Sequence, residues 1–143
     1  GSEMCIRDRS MRAALFGPIT AEHETMGALT ETALFSQWCY HQDIDNVHYA
    51  RWKTGEVDLV WLNTATQKPE WCVEVKWSDL PLTDTRLLKS LIAFAQTNHL
   101  KEVQVTTRSL AKEGFIDGIP ITYTPSALYA YQIGARIRLV DPG

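Results

Sequence analysis

The stretch GEVDLVWLNTATQKPEWCVEVKW, from Gly55 to Trp77, contains two short apolar segments that also carry charged side chains. The segments from Glu56 to Asn63 and from Trp71 to Trp77 each alternate between two sets of side chains. Such alternation is typical of β-strands, in which successive side chains point to opposite faces of a sheet. The connector at 64–70 is polar and contains a proline, so we expect the two strands to pair as an antiparallel hairpin.

The alternation predicts which side chains of the hairpin share a face. If Asn63 faces Trp71, Asp58 faces Lys76 and lies diagonal to Glu74. Strict alternation in the first strand gives one face with Val57, Leu59 and Trp61, and another with Glu56, Asp58, Val60 and Leu62. The hairpin is thus expected to bring two carboxylates and an ammonium group together.

Two carboxylates that converge from neighbouring strands repel each other unless a cation lies between them. Their oxygen atoms suit a hard ion such as Mg²⁺, which keeps several of its waters. The alternative is an ordinary solvated Asp–Lys pair with a further Glu on the wet face of the hairpin. Val60, Leu62 and Cys72 on the same face argue against that alternative, because they indicate partial cover.

Composition and charge limit the class of protein. The chain has 143 residues, of which 45% are apolar and 22% charged, as in a single globular domain and unlike a disordered or fibrous chain. A net charge of -3 argues against a surface coated in positive charge, although a local basic face stays possible. The three cysteines have no metal-ligand spacing, which predicts reduced thiols in a cytoplasmic protein. No apolar run is long enough to cross a membrane.

The first ten residues, GSEMCIRDRS, begin with Gly-Ser, as a cleaved expression tag does, and continue as a charged run without a period. We expect residues 1–10 to be a tag or non-native leader without ordered structure. Residues 11–143 are expected to form one domain.

The rest of the chain predicts alternating helices and strands. A cap at Thr20 and an apolar pattern predict a helix from Glu22 to Tyr40, and capping at Thr83 predicts a second helix to Thr97. Strands are predicted from Val47 to Lys53 and from Glu102 to Thr107, the latter reached by a parallel crossover. The predicted core is therefore α-β-β-β-α-β, an α/β fold with a mixed sheet.

The C-terminal part is less regular. It predicts a loop or short helix from Arg108 to Glu113, a strand from Ile119 to Tyr123 that Pro120 confines to an edge, and a helix from Thr124 to about Ile133.

Glu31 begins an apolar stripe of the first predicted helix, formed with Leu34, Phe35 and Trp38. A carboxylate in that position is either a rim residue or part of a site. Gly27, four residues earlier, would let another backbone approach closely and favours the second reading.

Glu31, Asp58 and the run Glu74-Val75-Lys76, on an α-β-β-β-α-β core, resemble the PD-(D/E)XK nuclease superfamily, which has a restriction-endonuclease-like fold. Gly27-x-x-x-Glu31, Gly55-Glu56-Val57-Asp58 and Val73-Glu74-Val75-Lys76 are more narrowly similar to the nuclease-like domain of unknown function that follows the P-loop module of prokaryotic AAA-type ATPases. The resemblance covers roughly residues 27–120. Val57 replaces the proline of the strict signature, and the ATPase module is absent from this chain.

The resemblance implies a metal-dependent site. Asp58, Glu74 and Glu31 would hold Mg²⁺ or Mn²⁺, and Lys76 would orient the attacking water, so that these four residues are the candidate catalytic residues. Glu56 could assist Asp58. The candidate DNA contacts are Arg51, Lys53, Arg86 and Lys89, each of which is also a plausible solvated charge.

Three functions compete at this point. The first is a metal-dependent endonuclease acting on DNA. The second is an inactive nuclease-like module that binds DNA or a protein partner. The third is a structural domain of an AAA-type ATPase that kept only the fold, because folds outlive their chemistry.

Overall fold

The computed structural model describes residues 4–6, 14–18, 34 and 44–140. Its strands are β1 (Met4–Ile6), β2 (Ala14–Pro18), β3 (Val47–Trp52), β4 (Gly55–Leu62), β5 (Pro69–Glu74), β6 (Val103–Thr107), β7 (Lys112–Ile116) and β8 (Ile119–Pro125). Its helices are α1 (Lys89–Thr97) and α2 (Ser126–Val140), with 3-10 turns at Ile44–Asn46, Leu80–Leu82 and Thr85–Leu88. No helix within these ranges is long and apolar enough to span a membrane.

The described strands form one mixed sheet in the order β1-β2-β3-β4-β5-β6-β8-β7. Neighbouring strands are antiparallel except for the β5–β6 and β6–β8 pairs, which are parallel. The connection from β5 through α1 to β6 is therefore the predicted parallel crossover, and the α/β class with a mixed sheet is confirmed.

The two faces of the sheet carry separate apolar cores. One core lies under α1 and includes Phe94, which is fully buried and stacks 5.9 Å from Trp52. The other lies under α2, where Tyr129 and Ile133 pack with Leu59 and Val73. Because α1 and α2 cover opposite faces, the central strands β4 and β5 are buried on both sides, which is typical of sheets that have parallel pairs.

A β-bulge interrupts β4 where it pairs with β3. His48 is paired with Val60 and Ala50 with Val57, so Tyr49 alone faces the two residues Asp58 and Leu59. The prediction of strict alternation in this strand was wrong for Val57. Val57 packs with Val60 in the core under α1, whereas Leu59 packs under α2, because the extra residue reverses the alternation.

The β4–β5 hairpin is antiparallel as predicted, but its register differs by two residues from the expected one. Trp61, not Asn63, is paired with Trp71, and the two indole rings stack with centroids 5.4 Å apart. Asn63 belongs to the turn, where its Oδ1 accepts the backbone N–H groups of Ala65 and Thr66 at 2.9 Å. A slip of two residues keeps every side chain on its face. The strand also ends at Glu74, before the predicted Trp77.

Two predictions for the C-terminal part were wrong. Residues 108–111 form the expected loop, but Lys112 and Glu113 already belong to strand β7, and β8 lies between β6 and β7 instead of at an edge. Pro120 is accommodated because pairing with β6 starts at the next residue, Ile121. The signal for this hairpin is the Asp117-Gly118 turn, whose residues both have positive φ and which lies between apolar residues.

The helices begin and end differently from the predictions. Thr85–Leu88 is a 3-10 turn before α1 starts at Lys89, and α2 continues through Gly134 to Val140. The first predicted helix, 22–40, lies outside the described residues apart from Leu34, which is helical and buried. Within the expected leader, Met4–Ile6 forms strand β1 and pairs with β2, so the expected lack of structure does not extend to these three residues.

Candidate active site

Asp58 and Glu74 come from neighbouring strands and meet at the sheet centre. Asp58 lies in the β4 bulge and Glu74 is the last residue of β5, and the pairing of Leu59 with Val73 places the two acidic residues at the next position of the ladder. Each is only 8% exposed. The backbone N–H of Val75 donates a hydrogen bond of 2.9 Å to Asp58 Oδ2, which ties the two strands together beyond the end of β5.

Lys76 completes the arrangement. Its Nζ lies 3.1 Å from Glu74 Oε1, and its side chain is 37% exposed whereas that of Glu74 is 11% exposed. The other Glu74 oxygen, Oε2, is buried and has no N–H or O–H donor within the described residues. The two carboxyl groups share a hydrogen bond when one of them carries a proton. The structure thus brings Asp58, Glu74 and Lys76 together, as the hairpin pattern predicts.

Both carboxyl groups are hard to ionise in this environment. Burial, followed by the neighbouring Asp58, raises the pKa of Glu74 to about 8, although Lys76 opposes this effect. Burial also raises the pKa of Asp58, against the lowering effects of the Val75 N–H and of Lys76. Glu74 therefore holds a proton near neutral pH that a bound cation would displace.

Backbone and hydroxyl groups fix the segment that carries Lys76. The Lys76 N–H donates to Thr106 Oγ1 at 2.7 Å, and the Thr106 hydroxyl donates to the Lys76 carbonyl at 3.0 Å. Ser126 Oγ lies 3.1 Å from the same carbonyl. Sequence reasoning missed Thr106 and Ser126, because a hydroxyl that bonds to the backbone of another strand belongs to no motif.

The remaining predicted residues lie elsewhere or have other partners. Arg51 is paired with Glu56 at 3.2 Å, and both side chains are about half exposed. The exposed Arg86 is paired with Asp84 at 3.0 Å. Lys53 and Lys89 are exposed and belong to segments that meet where Gly55 approaches Ser90, so closely that a Cβ at Gly55 would lie 2.6 Å from Ser90 Oγ.

The site offers a metal ion two carboxylates, those of Asp58 and Glu74. In the part of the chain that the structure describes, no three His, Cys, Asp or Glu side chains lie close enough together to hold a metal ion. The Glu74 Oε2, which has no partner within that part, fits an additional cation. The third predicted ligand, Glu31, lies outside the described residues.

No family model matches the chain, and no curated protein or solved structure matches it either. The resemblance to the PD-(D/E)XK superfamily therefore stays a prediction that rests on the residues of this chain.

Proposed function

We propose that the chain is a metal-dependent nucleic-acid phosphodiesterase with a restriction-endonuclease-like core, and that it acts on DNA. The observation that carries the proposal is the buried Glu74 Oε2, which has no hydrogen-bond partner among the described residues and lies beside a second buried carboxylate, Asp58. A buried oxygen without such a partner is costly, so this arrangement favours a bound cation at the carboxylates.

The charge of the cluster favours a divalent cation as that occupant. The raised pKa values of Asp58 and Glu74 indicate that the negative charge is poorly compensated, even with the Lys76 ammonium 3.1 Å from Glu74 Oε1. Oxygen ligands are those that Mg²⁺ and Mn²⁺ prefer. Asp58 and Glu74 would hold the ion, with Glu31 as the expected third ligand. Such an ion polarises a phosphodiester and makes water a competent nucleophile near neutral pH.

Lys76 has the position and chemistry for the protein's own part in the reaction. Its ammonium group lies 3.1 Å from Glu74 Oε1 and its side chain is 37% exposed, so it can face both the carboxylate cluster and a substrate phosphate. It would orient the attacking water and stabilise the negative charge that develops on the phosphate oxygens in the transition state. Glu74 supports this role because its Oε1, 3.1 Å from Lys76 Nζ, directs the ammonium group into the site.

The DNA backbone needs cationic contacts outside the reacting centre. Lys53 and Lys89 are the better candidates, since they are exposed and their segments meet at Gly55 and Ser90. Arg51 and Arg86 would have to share or leave their present partners, Glu56 and Asp84. A few such contacts give binding that weakens steeply with salt.

The second candidate is an inactive nuclease-like module that binds DNA or a protein partner as part of an AAA-type ATPase. One observation favours it: the described residues supply two acidic ligands and not a cluster of three. In that case Asp58, Glu74 and Lys76 would persist as a buried ion cluster that fixes the end of β5.

Incubation of the purified protein with supercoiled plasmid, single-stranded DNA and branched DNA, in Mg²⁺, Mn²⁺ or EDTA, distinguishes the two candidates. We expect metal-dependent nicking of at least one substrate, abolished in Asp58→Asn. Glu102→Gln, prepared in the same way, controls for contaminating nuclease, because Glu102 is an exposed carboxylate outside the cluster. A wild-type protein that cuts none of these substrates, or an Asp58→Asn variant that cuts equally well, would leave the binding module as the remaining candidate.

A further inference from the structure

We infer that Thr106, assisted by Ser126, is a positioning residue that holds the backbone of Lys76 so that its ammonium group stays on Glu74. The catalytic consequence rests on the proposed function, whereas the positioning itself does not. Thr106 and Ser126 are almost fully buried, at 1% and 2% exposure.

The need for such a device follows from where β5 ends. The last pair between β5 and β6 joins Glu74 to Val105, so the backbone of Val75 and Lys76 continues beyond the ladder. On its other edge β6 pairs with β8 along its whole length, including Thr106 with Thr124. Beyond the end of a ladder the backbone of a lysine is fixed by side-chain contacts, because strand pairing no longer holds it.

The Thr106 side chain replaces the missing ladder. A hydroxyl group has one hydrogen and two lone pairs, so it can accept one hydrogen bond and donate another at the same time. Thr106 Oγ1 uses both capacities on one residue: it accepts the Lys76 N–H at 2.7 Å and donates to the Lys76 carbonyl at 3.0 Å. Both polar groups of the Lys76 backbone are therefore fixed by a single side chain.

Ser126 adds a connection to the next layer. Its Oγ lies 3.1 Å from the Lys76 carbonyl and 2.9 Å from the Thr107 carbonyl, so its single hydrogen is shared between the two. Ser126 is the first residue of α2. The position of Lys76 is thereby set from β6 on one side and from the start of α2 on the other. The Val75 N–H, bonded to Asp58, fixes the preceding residue in the same way.

Lysine labelling tests this inference without requiring activity. The folded protein is treated with an amine-reactive acetyl ester, and the rate at Lys76 is compared by mass spectrometry with that at the exposed Lys101 in the same molecule. Thr106→Val removes the hydroxyl at nearly constant volume, and we expect Lys76 labelling to accelerate about fivefold, as loss of one hydrogen bond allows. Thr106→Ser keeps the hydroxyl and should restore slow labelling.

Thr107→Val is the matched control. Thr107 is the adjacent residue and equally buried, but its hydroxyl donates to the Leu110 carbonyl at 2.6 Å and not to Lys76. Lys76 labelling that is unchanged in a folded Thr106→Val protein, or that rises equally in Thr107→Val, would overturn the inference. If Thr106→Val does not fold, Ser126→Ala provides the same readout, with a smaller rise expected and no rise contradicting it.

Kinetics separate the positioning from the proposed function. In an active wild-type protein, Thr106→Val should lower kcat about tenfold, with the metal requirement and KM nearly unchanged, because a misplaced group acts mainly on the transition state. If the wild-type protein cuts no DNA, the proposed function fails while the labelling result still decides on the positioning. A fall in kcat without faster Lys76 labelling would count against positioning.

Discussion

Replacing Glu74 with glutamine should make the metal-free protein more stable, and increasingly so as the pH rises. Folding raises the pKa of Glu74 from 4.5 to about 8, through burial and the nearby Asp58. A carboxyl group with a raised pKa binds its proton more tightly in the folded state. Its contribution to stability is therefore fully present below pH 4.5 and is lost as the pH rises through 8.

The size of this effect follows from the two pKa values. At about 1.4 kcal/mol per pH unit, ionisation of Glu74 costs the folded state up to about 5 kcal/mol above pH 8, and about 3 kcal/mol at pH 7. Glutamine has nearly the same shape and no charge to ionise, so this cost disappears in Glu74→Gln. The variant also removes a repulsion that acts on Asp58, which changes stability in the same direction.

Urea unfolding at pH 5, 7 and 9 in EDTA measures the difference. We expect wild type and Glu74→Gln to have similar free energies of unfolding at pH 5, and the variant to be more stable by a few kcal/mol at pH 9. Glu102→Gln makes the same chemical change at an exposed site and should follow the wild type at every pH. If wild type and Glu74→Gln lose stability in parallel between pH 5 and 9, the reasoning about the buried carboxylates is wrong.

Three further predictions concern the metal, the lysine and the core. Millimolar Mg²⁺ or Mn²⁺ should raise the free energy of unfolding of the wild type by about 1.4 kcal/mol at ten times the Kd, which raises its Tm in a thermal melt. The Tm of Asp58→Asn should stay unchanged. Lys76→Ala should lower the nicking rate at least about a hundredfold while the metal-dependent rise in Tm persists, whereas Asp58→Ala should lose both. Phe94→Ala should lower the free energy of unfolding by about 3–5 kcal/mol in urea, since Phe94 is fully buried against Trp52 and Phe16.

The sequence was sufficient to predict the central hairpin and the parallel crossover, because both depend on local patterns. Alternation over Glu56–Asn63 and Trp71–Trp77 identified two neighbouring strands, and the even slip in register kept Asp58 and Glu74 on one face. The meeting of Asp58, Glu74 and Lys76 followed from that pairing. The catalytic and metal-binding roles of these residues stay predictions.

Other features depend on contacts between distant parts of the chain. The hydroxyl bonds of Thr106 and Ser126 to Lys76 join residues 30 and 50 positions apart, and neither residue type has a pattern that announces such a contact. The strand β7 is a different case, because the Asp117-Gly118 turn is a local signal in the sequence. Pro120 does not confine β8 to an edge, since a proline excludes only the hydrogen bond that its own nitrogen would make.

The bulge at Asp58 and Leu59 makes β4 sensitive to its length as well as to its composition. Deletion of Leu59 would remove the bulge and leave Val57 and Glu56 opposite their present partners, Ala50 and Arg51. Asp58 would then take the place of Leu59 and turn towards the core under α2, away from Glu74. The deletion should therefore be harmful because it buries a carboxylate among apolar side chains, whereas deletion of one residue from the polar loop at 64–68 should be tolerated much better. In a library of one-codon deletions read out by the amount of folded protein, loss of Leu59 should leave less folded protein than loss of any residue of that loop.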